Sequence, residues 1–425
     1  MYIKENKIQN IFNGNDKINR IYLGEDMLWR NGNSHYMYIS FNNSSSSYED
    51  PSIKAYIVHE DLSLTEVTIP SKINNVFHRL QPWFADSDNN MMLLQNDLLN
   101  ITEINNKIFK INPNKGTFLS SININIPNKS RKCTQMNYNP FNDTYYIYEY
   151  GDDLTTSGRI RAYDNNFKPI SDSNEVVLDS FFYKQNAGLN VFMNKDLIGT
   201  LSKSSSSYYI KRYNSNTLKS NENTTTNYFS SGVVFSQQYD ESCMVVFNVE
   251  NSNNSPIRTK TIDISTNEII SSKEQKPSYD GHRSLIYRNG ENIQYNVVDD
   301  CFYCYSTTIN QSISYISVLK LPQDFSKSEA FNLVMPDEIS LSYSDVKVLN
   351  MSFDSNGNIY FTINWRACGY ASDIWYDYIY TYKYNSDLQQ VGLVKVLDKK
   401  ISTTDLMAKC VSANSPTVRY KKELL

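Results

Sequence analysis

Apolar and polar residues alternate along most of this chain with a period of two, in short runs broken by corners of Asn, Asp, Gly and Ser. Asn358–Trp365 shows the pattern: Ile359, Phe361 and Ile363 share one face, and Tyr360, Thr362 and Asn364 share the other. Such alternation predicts strands rather than helices. Met351–Trp365, MSFDSNGNIYFTINW, is a complete unit of strand, Asp/Asn/Gly corner and strand. Related units occur at Trp83–Gln95, Asn137–Tyr150, Phe235–Val249 and Asn296–Ser306.

A second marker sets the period. The strands IKAYIVH, KIFKIN, RIRAYD, YIKRYN, IRTKTID, YISVLKL and YIYTYKYN end at His59, Asn112, Asp164, Asn214, Asp263, Leu321 and Asn385, with gaps of 53, 52, 50, 49, 58 and 64 residues. A period near fifty residues with four strands per unit is the signature of a β-propeller. The expected fold is all-β: a seven-bladed β-propeller over residues 34–425. In its last blade, strands are expected at about Lys347–Phe353, Asn358–Arg366, Tyr376–Asn385 and Gln389–Val396. The first blade lacks an inner strand of its own, since Asn33 leads directly into His35–Phe41, which matches second strands elsewhere. Ala408–Pro416, AKCVSANSP, matches the inner-strand lead-in of the last blade, so the C-terminus is expected to complete blade one and remove the open edges.

Residues 1–33 follow a different pattern. Lys7–Ile18 and Asn19–Trp29 each read as apolar strand, Gly-containing turn and apolar strand, a pair of hairpins. The second carries Ile21, Tyr22, Leu23, Gly24, Met27, Leu28 and Trp29. It resembles a short element at the ends of tail and baseplate proteins of phages of Gram-positive bacteria, with the signature I-Y-L-G-x-x-x-I/L-W. The resemblance covers less than a tenth of the chain. It implies a docking element whose partner-facing residues are Ile21, Tyr22, Leu23, Met27, Leu28 and Trp29. The plain alternative is an extra sheet packed on the propeller.

Composition agrees with the strand reading. The chain holds 33 Tyr against 14 Gly, and Tyr suits a pleated, half-buried surface. The net charge of −4 is spread along the chain without a basic stripe, which argues against a nucleic-acid partner. No window approaches the roughly 18 apolar residues of a membrane span. MYIKENKIQNIF lacks the apolar core of a secretory signal, so synthesis in a host cytoplasm and a final place in a virion are expected. Six cysteines are present, and Cys301 and Cys304 form the one C-x-x-C. In a strand those two point to opposite sides, so they are expected as buried reduced thiols rather than a disulfide or zinc pair.

Candidate chemistry is sparse. Asp354-x-Asn356-Gly-Asn358 and Asp86-x-Asp88-x-Asn90 have the oxygen spacing that opens a calcium loop, but their twelfth residues are Trp365 and Asp97 instead of Glu. The first turn also resembles the Asp-box of sialidases in Gly357 and Trp365, without the Thr-Trp ending at the required place. No metal site and no cofactor is expected. Carboxylate pairs such as Asp299–Asp300 and Asp152–Asp153 read as solvated turns. The most suggestive surface is the stretch Asn364–Tyr378, read as a long loop, with Trp365, Arg366, Tyr370, Asp373 and Trp375 as candidate binding residues. Aromatic platforms with Arg and Asp suit sugar stacking or a protein partner. The alternative is that Trp365 ends one buried strand and Trp375 begins another.

The function these readings favour is a non-enzymatic virion component of a phage or phage-tail-like particle. It would be anchored by its hairpins to tail, baseplate or capsid proteins within a homo- or hetero-oligomeric assembly. The propeller would contact protein neighbours or host-surface glycan. A virion-associated glycan hydrolase or lyase, with a site assembled across blades, is the first alternative; a cytoplasmic scaffold propeller is the second.

Overall fold

The computed structural model describes residues 11–13, 16–18, 20–23, 26–30, 36–42, 53–68, 81–85, 90–94, 107–126, 131–139, 141–142, 144–151, 159–170, 176–177, 191–204, 207–220, 233–249, 256–275, 293–310, 313–326, 328–334, 336, 344–354, 356–368, 374–402 and 410–414. Every regular element among them is a strand. The strands form six four-stranded antiparallel sheets, one three-stranded sheet and two separate two-stranded hairpins. The larger sheets follow one another along the chain as a β-propeller.

The second to seventh sheets are each made from one continuous stretch: 81–123, 131–177, 191–214, 233–275, 294–332 and 344–402. The first sheet differs. It orders Cys410–Asn414, Tyr36–Asn42, Ile53–His59 and Leu64–Glu66, so one strand comes from the far end of the chain. Cys410 pairs with Phe41 and Asn414 with Tyr38. In the fourth sheet a bridge between Tyr213 and Ser220 stands where a fourth strand would lie.

The apolar core lies in the seams between sheets. Adjacent residues of one strand point to opposite faces, and both faces are covered. Met91 packs toward the first sheet and Met92 toward the third. Tyr145 faces the second sheet and Tyr146 the fourth. Cys301 joins the cluster shared with the seventh sheet, while Cys304 joins the one shared with the fifth. The C-x-x-C is thus split between two seams, and both cysteines are buried and outside any disulfide. Burial pushes the Cys301 thiol up to about 12. A last cluster joins the seventh sheet to the first: Val58, Tyr56 and Leu62 meet Tyr360, Ile379 and Val396.

The seventh sheet departs from one expectation. Its strands Ile359–Cys368 and Ile374–Tyr384 run well into the stretch read as a loop, leaving residues 369–373 between them. The Tyr, Trp and Ile of that stretch alternate and pair across the two strands, from Ile359 with Tyr384 to Cys368 with Trp375. The four strands of this sheet otherwise lie where the alternation predicts, as Ser344–Phe353, Ile359–Cys368, Ile374–Tyr384 and Gln390–Ser402.

Candidate functional site

In the sheets made from one continuous stretch, the turn from first to second strand and the turn from third to fourth lie at the same end. Most of those described are built on an Asx side chain. Asn112, Asp164, Asn214, Asp263 and Asn385 accept backbone N–H groups of the third-to-fourth turn on their side-chain oxygens. These are the residues that end the repeated strands in the sequence. Asn139, Asn194, Asp240, Asn296 and Asp354 do the same in the first-to-second turn. An Asx oxygen that closes its own turn explains why these residue types recur.

The corners are tied to the next sheet. Tyr146 donates its hydroxyl to the Ser215 carbonyl at 2.8 Å. Arg212 donates to the carbonyls of Ile264 and Ser265. Lys320 donates to the Ser386 carbonyl at 3.1 Å. Lys383 donates to the Glu60 carbonyl at 2.7 Å, which ties the last sheet to the first. In each case a second- or third-strand side chain reaches the carbonyls just after the residue that opens the neighbouring turn, Asn214, Asp263, Asn385 or His59.

A polar group sits on this last seam. Tyr360 donates toward the Glu60 carbonyl at 3.1 Å and toward Asp354 Oδ2 at 3.0 Å. Asn356 Nδ2 donates to Glu60 Oε1 at 3.1 Å. Asp354, 2% exposed, accepts the backbone N–H groups of Asn356 and Asn358 on Oδ1 and the Asn358 amide on Oδ2. Asn356 links the two corners, its side chain reaching Glu60 and its backbone N–H reaching Asp354 Oδ1. Burial first, then the charge of Asp354, raises the Glu60 carboxyl above the ordinary range. The Lys383 ammonium lies 5.3 Å from the centroid of the Tyr360 ring.

Beside this group is an open depression of about 400 Å³ lined by His59, Glu60, Asp61, Ser63, Thr65 and Asn114. His59 Nε2 is 2.8 Å from Thr65 Oγ1, and burial lowers its pKa. Asp61 accepts from the Ser63 hydroxyl and N–H, which hold its carboxyl low. Glycosidase carboxyls stand roughly 5 Å apart or more, leaving room for sugar or water. Here the Glu60 carboxyl and the Asp354 carboxyl are both bound within the seam, Glu60 by the Asn356 amide and Asp354 by Asn356, Asn358 and Tyr360.

A second polar group bridges the sixth and seventh sheets. Asp299 Oδ2 meets Lys320 Nζ at 3.2 Å and accepts the Tyr303 hydroxyl at 2.5 Å. Burial lifts the Asp299 carboxyl. Asp300 accepts the Tyr295 hydroxyl. The expectation that Asp299–Asp300 is a solvated turn is therefore corrected. The turn exists, but Asp299 faces a seam because Lys320 on the adjacent strand draws it inward. Asp152–Asp153 and the Asp86–Asn89 portion of the second candidate calcium loop lie outside the described residues. Among the described residues no group of three or more His, Cys, Asp and Glu gathers as a metal site.

The other site residues read from sequence fall as follows. Arg20–Leu23 pairs with Asp26–Arg30 in its own two-stranded sheet, matching Ile21 with Trp29 and Tyr22 with Met27, with Leu28 as the extra residue of a bulge. Trp365 is a correction. It is fully buried in the core between the sixth and seventh sheets and donates Nε1–H to the Tyr382 hydroxyl at 3.2 Å, so it presents no binding surface. Arg366 and Trp375 occupy strand positions, opposite Asp377 and Cys368. Tyr370 and Asp373 lie outside the described residues. Sequence reasoning missed Glu60, Tyr360 and Lys383, whose partners are about 300 residues away in the chain.

By fold the chain is a β-propeller protein. No family model matches it, and no curated protein matches its sequence. Among solved structures it is similar to a protein assigned as a 6-phosphogluconolactonase from Bacteroides uniformis, at 7% identity and a TM-score of 0.46, over 90% of this chain and 99% of that one. A eukaryotic initiation factor matches at 7% identity and a TM-score of 0.38, over 85% of each chain. A structure from work on two prolyl endopeptidases matches at 10% identity and a TM-score of 0.39, over 78% of this chain and 54% of that one. At these scores nothing about activity passes to this chain.

Proposed function

We propose that this chain is a non-enzymatic structural component of a phage or phage-tail-like particle. Its N-terminal hairpins anchor it to other particle proteins, and its propeller contacts protein neighbours or host-surface glycan. In this reading the seven larger sheets are the blades of one ring, and Cys410–Asn414 is the strand that closes it. The observation that carries the proposal is the segregation of Ile11–Ile18 and Arg20–Arg30 into two hairpins that share no sheet with the propeller. The second of these bears the residues that resemble the phage tail element. The polar groups found at the sheet corners are engaged in holding sheets together, in keeping with a scaffold role.

The test is incorporation. Particles assembled with Tyr22→Ala and Trp29→Ala, purified and probed for this protein, are expected to lack it, while the variant chain stays folded by circular dichroism. Normal incorporation contradicts the anchor. Exposing purified protein to cell-wall or capsular polysaccharide checks the enzymatic alternative: new reducing ends would contradict the non-enzymatic reading.

A further inference from the structure

The corner between the first two strands of the seventh sheet holds an Asn-Gly pair, Asn356–Gly357, bonded to both neighbouring sheets. On one side Asn356 Nδ2 donates to Glu60 Oε1, in the turn of the first sheet, at 3.1 Å. On the other the Gly357 carbonyl accepts Asn296 Nδ2 of the sixth sheet at 3.1 Å. Gly357 stands at φ +81°, and a Cβ there would lie 2.9 Å from Val298 Cγ1. Glycine therefore fills the place, and its nitrogen has no side chain of its own to shield it. Asn356 is exposed to water. Glu60 is held from behind, since its carbonyl takes the Tyr360 hydroxyl at 3.1 Å and the Lys383 ammonium at 2.7 Å.

We propose that Asn356–Gly357 is a self-modifying site, where the Asn356 side-chain amide is lost as ammonia with Glu60 as the general acid. The Gly357 N–H bonds to the Asp354 carbonyl at 3.1 Å in the resting corner, and this bond opens first. The Gly357 nitrogen then attacks Asn356 Cγ and gives its proton to water. The Cγ–Nδ2 bond breaks, and the leaving nitrogen takes the Glu60 proton and departs as ammonia. A general acid must lie within hydrogen-bond reach of the atom it protonates, and the contact of Glu60 with Nδ2 meets that condition. A five-membered imide remains, and Glu60 regains its proton from water. Water next opens the imide. Opening at Cγ leaves aspartate; opening at the main-chain carbonyl leaves isoaspartate, with the chain running through the side chain.

Burial raises the Glu60 carboxyl above its ordinary range, which leaves more of it carrying the proton it must give. The products undo the links of the corner. Either one removes the amide donor that Glu60 accepts and sets a second carboxylate opposite the first. Isoaspartate also adds a carbon to the main chain before Gly357, which displaces the carbonyl that holds Asn296. The reaction therefore loosens the seventh sheet from the first, and its isoaspartate branch loosens it from the sixth as well.

The chain carries three other Asn-Gly pairs, at Asn13, Asn31 and Asn289, which serve as references within the same molecule. Purified full-length protein is aged at constant pH, and peptide mapping by mass spectrometry follows the amide of each pair. Asn356 is expected to convert; if it keeps its amide while the references lose theirs, the site is overturned. In Glu60→Gln, checked for folding by circular dichroism, the Asn356 rate relative to the references is expected to fall about a hundredfold, the low end of general acid catalysis. An unchanged relative rate would overturn the role of Glu60. Hydrogen exchange reads the seam, through the Leu62 N–H that bonds to the His59 carbonyl in the Glu60 turn. Asn356→Asp is expected to lower its protection about tenfold below the fresh parent, the scale of one hydrogen bond to a charged group. Equal protection would overturn the loosening.

Discussion

At the third-to-fourth corner of a sheet the chain needs one residue in the left-handed region, and this protein mostly fills it without glycine. The residues there are Leu62, Phe167, Leu218, Asn267, Phe325 and Leu388, with Gly116 in the second sheet. A non-glycine residue in that region costs about 1–2 kcal/mol. The side chain offsets this by plugging the seam with the preceding sheet. Phe167 enters the cluster of the second and third sheets, and Leu218 that of the third and fourth. Phe325 stacks on Phe302 at 5.8 Å and meets Phe247 edge-on at 5.9 Å. The sequence showed the Asx residue that starts each corner because its type recurs. It hid the plug, because Leu and Phe carry no turn signal and glycine was the residue to look for. A reversed mutational order follows. Leu218→Ala should destabilise by about 2–5 kcal/mol through the cavity it leaves. Leu218→Gly should be milder by about 1 kcal/mol, since glycine has no left-handed penalty. Urea-unfolding midpoints of the two variants check this, and Ala ranking above Gly would contradict it.

For strands and corners, alternation located most of what the structure contains. The seventh sheet lies nearly where the pattern placed it, since Ile359, Phe361 and Ile363 on one face and Tyr360 on the other all go to covered seams. The same logic misread Trp365. It continues the Ile359–Phe361–Ile363 face and is therefore core, yet its place beside Arg366 drew attention as a surface platform. The latches from Tyr146, Arg212, Lys320 and Lys383 were not legible, because each spans a seam that sequence neighbours do not share. Where the first sheet meets the second, the fit is closer still. A Cβ on Gly116, at φ +62°, would stand 2.1 Å from the Glu66 carbonyl oxygen. That obstacle is backbone of the first sheet's outer strand and cannot rotate away. Gly116→Ala is expected to destabilise by more than about 3 kcal/mol, at the severe end for a single substitution. Thermal melting is the check, and a variant within a degree or two of the parent would contradict the packing.

Over the whole molecule, apolar clusters fill every seam from the first sheet to the seventh and from the seventh back to the first. The chain ends meet in one sheet through Cys410–Asn414 and Tyr36–Asn42. The match of AKCVSANSP to the lead-in of the last repeat pointed to a strand there, and Cys410–Asn414 is one; that it closes a ring belongs to the proposed reading. The polar half of the seam between the seventh and first sheets, where Asn356, Tyr360 and Lys383 bond to Glu60, was not legible, since nothing local marks residues so far apart in the chain as partners. The functional reading leans on residues 11–30, whose separate hairpins the propeller does not need for its own sheets. Its mechanical premise is a propeller that holds its shape because its two ends are joined. Chain lacking everything after Thr403 tests that premise most directly. By calorimetry and denaturant titration, the truncated protein is expected to lose its cooperative transition. A truncated chain that melts like the parent, with the same sharpness and midpoint, would contradict closure by the C-terminal strand.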